Sequence, residues 1–162
     1  MKTTIKIVVA FTFLVFVTAG FIKPAEVNTY KCMIQLTNYT GEGAYVIVSL
    51  INAEGAYEST LYVQGQDEEW YHDIPEWWNF YGKTRPNIDA ISGETVKGGE
   101  RTIRILKIPK DKINTGYSIR FETAVEDQEY YKDDVQFELT SETVNSKKEG
   151  KGFIRYVRMM PQ

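Results

Sequence analysis

The sequence predicts an all-β domain, an antiparallel immunoglobulin-like β-sandwich with one long aromatic insertion loop. Apolar and polar residues alternate with a period of two in segment after segment, and Gly, Asn, Asp and Lys clusters separate the segments. The segments are short and closely spaced, as strands that fold back on one another must be. One stretch, residues 65–99, breaks the rhythm and holds all 3 tryptophans of the 162 residues.

The chain opens with Lys2 and Lys6 and then an apolar run from Ile7 to Ala19. That run is too short to cross about 30 Å of hydrocarbon as a helix. A basic start, a short apolar centre and the small residues Ala19 and Gly20 describe a secretory signal peptide over residues 1–20. The remainder, residues 21–162, is then one exported domain, expected in the periplasm with no stable membrane anchor once the signal is removed. Loss of Lys2 and Lys6 leaves 17 basic residues against 22 acidic ones, a net charge of −5. This predicts a monomer not drawn to anionic membranes, and it argues against nucleic acid, whose partners normally carry a basic face.

Tyr30 to Thr37 is the first strand. Its alternation places Cys32 as a buried, inert thiol. Ala44 to Ile51 is apolar on both faces, the pattern of a strand at the centre of a sheet. Asn52-Ala53-Glu54-Gly55 supplies a turn, and Tyr57 to Val63 returns as the hairpin partner. Thr102 to Ile105, Tyr117 to Glu122, Val135 to Thr140 and Phe153 to Val157 complete the set, with Ser146 to Gly152 as a basic, solvated hairpin tip.

Composition removes several function classes. One Cys and one His cannot form a disulfide within the chain, a Cys/His zinc site or a Cys-x-x-Cys redox pair. A chain of this length buries about 70% of its unfolded surface without such staples. There is no Gly-x-Ser-x-Gly elbow and no His-Glu-x-x-His pair. The adjacent carboxylates Glu68-Glu69 and Asp133-Asp134 point opposite ways in extended chain, which reads as solvated surface rather than an acid/base pair. The expectation is a protein without catalytic residues of its own.

Within the insertion, Trp70, Tyr71, Trp77, Trp78, Phe80 and Tyr81 crowd around Asp73-Ile74-Pro75-Glu76, a short helical turn opened by Asp73 as cap. Rings this dense either close one end of the sandwich or stack on a planar ligand. His72 beside Asp73, Glu68 and Glu69 offers a single imidazole, too little for a metal. Further on, Asp89 and Ser92 can hydrogen-bond nearby backbone and Gly93 permits a positive φ, so a tight turn is expected there. It would hold the hydroxyls of Ser92 and Thr95 outward beside Lys97, with Lys83 and Arg85 in the approach, a setting that can receive a phosphate.

The order Trp77-Trp78, Asp89-Ala90-Ile91-Ser92-Gly93-Glu94-Thr95, Gly98-Gly99, Ile103 to Ile105 and Gly116 to Glu122 resembles the exported bacterial family catalogued as domain of unknown function 2271. The resemblance runs roughly from Gly43 to Thr140. It implies a periplasmic β-sandwich and no settled activity. The heptad from Asp89 to Thr95 also resembles the acceptor segment Asp-x-x-Ser/Thr-Gly-Ala-Ser/Thr to which flavin transferases attach FMN through its phosphate. That likeness implies Thr95 as acceptor and Asp89, Ser92 and Gly93 as shapers of the turn, with Trp77 or Trp78 beside the flavin. Glu94 stands where the pattern has Ala, and a carboxylate there costs about 1 kcal/mol against a phosphate at about 4 Å in water. Two functions are therefore expected: a non-catalytic accessory or binding protein that serves a membrane redox or metal-uptake system through a protein partner, or a covalent FMN carrier in extracytoplasmic electron transfer.

Overall fold

Alternating burial turns the strands into two stacked sheets. In the computed structural model, which describes residues 25–162, nine strands form: β1 Val27–Leu36, β2 Tyr45–Ile51, β3 Tyr57–Gln64, β4 Ser92–Gly93, β5 Arg101–Pro109, β6 Ser118–Ala124, β7 Tyr130–Glu138, β8 Lys148–Glu149 and β9 Ile154–Pro161. One sheet has the order β5-β1-β9-β8 and the other β4-β3-β2-β6-β7. The expected β-sandwich is present. The segment read as a signal peptide lies outside the described residues.

The even-numbered residues of β1, Tyr30, Cys32, Ile34 and Leu36, face Val46, Val48 and Leu50 of β2 in the core between the sheets. Ile119 and Phe121 of β6 and Val157 and Met159 of β9 fill the same layer. Cys32 is buried as expected, and burial pushes its thiol up to about 12, which keeps it protonated and unreactive.

The other face of β2 is equally buried, and here the structure corrects the expected place of the aromatic insertion. Its rings do not close one end of the sandwich. They lie on the outer face of the five-stranded sheet, where Tyr71, Ile74, Trp77, Tyr81 and Ile88 pack on Tyr45, Ile47 and Val63. All seven residues of β2 are buried for this reason. The molecule has three layers and two cores with β2 as their common wall.

Three smaller expectations also change. β4 pairs with β3 in parallel, the one exception among the named strand pairings to an antiparallel design. The basic tip at residues 146–152 contains the short strand β8, which pairs with β9. Asp134 is not solvated: it is 1% exposed while Asp133 stays at the surface beside Lys151. The two carboxylates do point opposite ways, and one of those ways is inward.

Candidate functional site

The insertion leaves β3 at Gly65, whose φ of +116° only glycine adopts comfortably and whose absent Cβ would lie 2.1 Å from the ring of Tyr45. Asp67 then caps a 3₁₀ helix, Glu68–Asp73, by accepting from the amide of Glu69 at 3.1 Å. The α-helix that follows, α1, runs over Pro75–Tyr81 with Pro75 in its first turn.

Asp73 does not cap α1 as the sequence predicts. It ends the 3₁₀ helix and instead sits 3.2 Å from His72, while Ile74 occupies the cap position with no side-chain hydrogen bond. The backbone amide of Trp77 favours the charged form of the buried Glu122 carboxyl on β6, and that of Glu76 favours the charged form of the Tyr130 phenol on β7, both against the larger opposing effect of burial. Glu122 accepts from the hydroxyls of Tyr57 and Tyr130. A carboxylate from another element thus lies near the N-terminal turn of α1, where the helix favours negative charge.

Trp77 is fully buried, stacked on Tyr81 with ring centroids 4.6 Å apart, and its indole N–H donates to Thr60 Oγ1 at 2.9 Å. It offers no face to a ligand. Trp78 is half-buried under the guanidinium of Arg85, which lies 4.9 Å from its ring centroid. Arg85 holds a left-handed φ of 41° as the chain leaves α1, so it is spent on this contact.

Beyond it, Asn87 Oδ1 accepts from the amide of Asp89 at 2.9 Å, and Asn87 Nδ2 donates to Asp89 Oδ2 at 3.2 Å. Ser92 donates to the carbonyl of Asp89 at 3.4 Å. Gly93 does not take the expected positive φ. It is a residue of β4, paired with Gln64, and it must be glycine because a Cβ there would lie 2.3 Å from the hydroxyl of Tyr62. Asp89, Ser92 and Gly93 therefore hold a strand against β3 rather than a tight turn.

That strand delivers Thr95 to the surface. Val96 behind it is fixed by a two-way bridge to Ala44, at 2.7 and 3.2 Å, and by the hydroxyl of Tyr39 at 2.6 Å. Thr95 is exposed on the rim of an open pocket of about 490 Å³ lined also by Tyr45, Gln66, Asp67, Glu94, Lys97 and Glu100. Three carboxylates and one ammonium line this rim. The Tyr45 phenol is pushed up to about 12, chiefly by burial and next by Asp67, so it remains a neutral donor and reaches the carbonyl of Asp67 at 3.3 Å.

Of the residues singled out in the sequence, Thr95 lines the pocket, Asp89, Ser92 and Gly93 support the strand that carries it, and Trp77 and Trp78 are not among its lining residues. Tyr45, Gln66, Asp67 and Glu100 were not foreseen. Among the described residues no group of three or more His, Cys, Asp or Glu side chains is placed to hold a metal.

A family model described as "Predicted periplasmic protein (DUF2271)" matches residues 27–156, from the first residue of β1 into β9. The chain belongs to the DUF2271 family. With it the protein is placed in the periplasm. The DUF2271 match takes in both sheets, the insertion and the Thr95 rim, so the pocket is built within the family's own domain. No curated protein and no solved structure matches the chain.

Proposed function

We propose that this DUF2271 protein is a non-catalytic accessory module that presents the Thr95 rim to a protein partner of a membrane redox or metal-uptake system. The observation that carries the reading is the way the insertion is held. A second hydrophobic core, a parallel strand and the Ala44–Val96 bridge immobilise a polar, exposed segment beside an open pocket. A rigid display of this kind lowers the ordering cost of recognition. The partner class rests on the periplasmic setting and on the likeness of residues 89–95 to a cofactor-acceptor segment.

A photo-crosslinker placed at Glu94, with a control at Glu54 on the far β2-β3 turn, tests this in the native host. The expected result is one discrete adduct with a membrane redox or transport component from position 94 and none from position 54. Equal labelling from both positions, or none from 94, overturns the reading.

A second reading is covalent FMN carriage, favoured by the exposed Thr95 on a rigid segment beside Lys97. Thr95 lines the pocket and Trp77 does not, and Tyr45 at the pocket wall is only 8% exposed. FMN would supply the electron transfer, and Thr95 and Lys97 would only attach and hold it. Asp67, Glu94 and Glu100 oppose the incoming phosphate. Intact mass of native protein decides: an FMN-sized addition lost in Thr95→Val supports carriage, and an unmodified mass removes it.

A further inference from the structure

We propose that the outer face of the β5-β1-β9-β8 sheet docks on an anionic phospholipid membrane. The net charge of −3 points the other way only because the charges are segregated. The insertion, residues 65–99, holds seven carboxylates against three cations and covers the outside of the five-stranded sheet. The opposite outside of the sandwich is the face proposed here.

Strand register defines what that face presents. Ile105 lies across from Lys31, and Lys31 across from Met160. In the next outward row Ile103, Met33 and Arg158 stand side by side. Ile103 and Ile105 are 43% and 48% exposed, the largest apolar exposures in the described chain together with Val27 at the end of the same face. Lys107 continues the pattern on β5. Lys31, Lys107 and Arg158 have no carboxylate partner among the described residues. Arg101 in the adjoining row is tied to Gln35 and Tyr156 instead.

Protection of an open sheet edge explains charge on β5, which is an edge strand. It does not explain Lys31, which stands on β1 between β5 and β9, inside the sheet; Arg158 lies just past the two-residue β8, which pairs with β9 only at Tyr156 and Val157. Aliphatic tips interleaved with long unpaired cations suit the boundary between headgroups and acyl chains. The ammonium and guanidinium groups reach phosphates while the isoleucines and methionines enter the apolar margin. The acidic insertion would then face away from the bilayer. This inference holds whether or not the Thr95 rim recognises a partner.

Co-sedimentation of the exported chain with phosphatidylglycerol-rich vesicles, and with phosphatidylcholine vesicles as control, tests the proposal. Binding is expected for the anionic vesicles alone and should fade as salt screens it. Lys31→Gln, Lys107→Gln and Arg158→Gln should each weaken it about fivefold. Ile103→Ser with Ile105→Ser should weaken it without changing the salt dependence. Far-UV circular dichroism shows that each variant is folded. No binding to anionic vesicles, equal binding to both kinds, or binding unaffected by the substitutions overturns the assignment. Salt-sensitive capture by immobilised polyglutamate without vesicle binding assigns the face to an acidic protein instead. Dimerisation abolished by the paired serine substitutions assigns it to a second copy of the chain.

Discussion

Asp134→Ala should destabilise the domain by about 3–5 kcal/mol, a large share of the stability of a single domain. Oδ1 of Asp134 accepts from the amides of Lys151 and Gly152, each at 2.8 Å, and Oδ2 accepts from Thr123 Oγ1 at 2.6 Å and the amide of Ile154 at 2.9 Å. The side chain reaches from β7 to the start of β9 and so joins the two sheets. Alanine leaves the amides of Gly152 and Ile154 and the hydroxyl of Thr123 unpaired, while the Lys151 amide keeps its bond to the carbonyl of residue 134 at 3.0 Å; each such loss costs about 1–3 kcal/mol where water cannot enter. Asn keeps the shape but turns an NH₂ group toward donors, so Asp134→Asn should also be costly, at about 2–4 kcal/mol. Urea unfolding measures both. A loss below about 1 kcal/mol for alanine would mean that water replaces the carboxylate and that the joint between the sheets is not structural.

Glu122→Leu should cost a comparable amount, about 3–5 kcal/mol, whereas Glu122→Gln should cost little and change the pH dependence. Leucine strands the hydroxyls of Tyr57 and Tyr130. Glutamine keeps an acceptor and adds a donor that either phenol oxygen can accept. Burial holds the Glu122 carboxyl above the usual carboxylate range, against the lowering effect of its hydrogen bonds from Tyr130 and Tyr57. The fold therefore binds this proton more tightly than the unfolded chain does. Its contribution to stability is complete below the ordinary carboxylate pKa and is lost as pH rises through the raised value. The phenols of Tyr57 and Tyr130 are likewise held above their usual range, by burial first and Glu122 next, so they remain donors at neutral pH. Urea midpoints across mildly acidic pH should show the wild type losing stability as pH rises and Glu122→Gln lacking that component. Parallel profiles would show that Glu122 does not titrate in that window.

The strands were legible because one-sided burial leaves a local trace. Tyr30, Cys32, Ile34 and Leu36 announce an inward face without reference to any other segment. β2 announced two inward faces, but nothing local says what covers the second. That cover comes from residues 65–99, and a pattern in one segment carries no address in another. β4 and β8 have two residues each, too few to show any period. Asp134 escaped for a related reason. Parity correctly turned it away from Asp133, yet its amide partners converge from 17 to 20 residues further along the chain and its hydroxyl partner, Thr123, lies 11 residues earlier. Thr95 was legible as an exposed residue because its heptad is compact, while Tyr45 joins it only through the bridge between Ala44 and Val96.

Sharing β2 between two cores has a consequence for how the molecule comes apart. The insertion cannot melt without uncovering Tyr45, Ile47 and Val63, and the sandwich cannot lose β2 without removing the floor beneath Trp77. Trp70, Trp77 and Trp78 all lie above that floor, and most of the backbone ellipticity arises below it. Tryptophan emission and far-UV dichroism therefore observe opposite sides of a single strand, and both record one cooperative event.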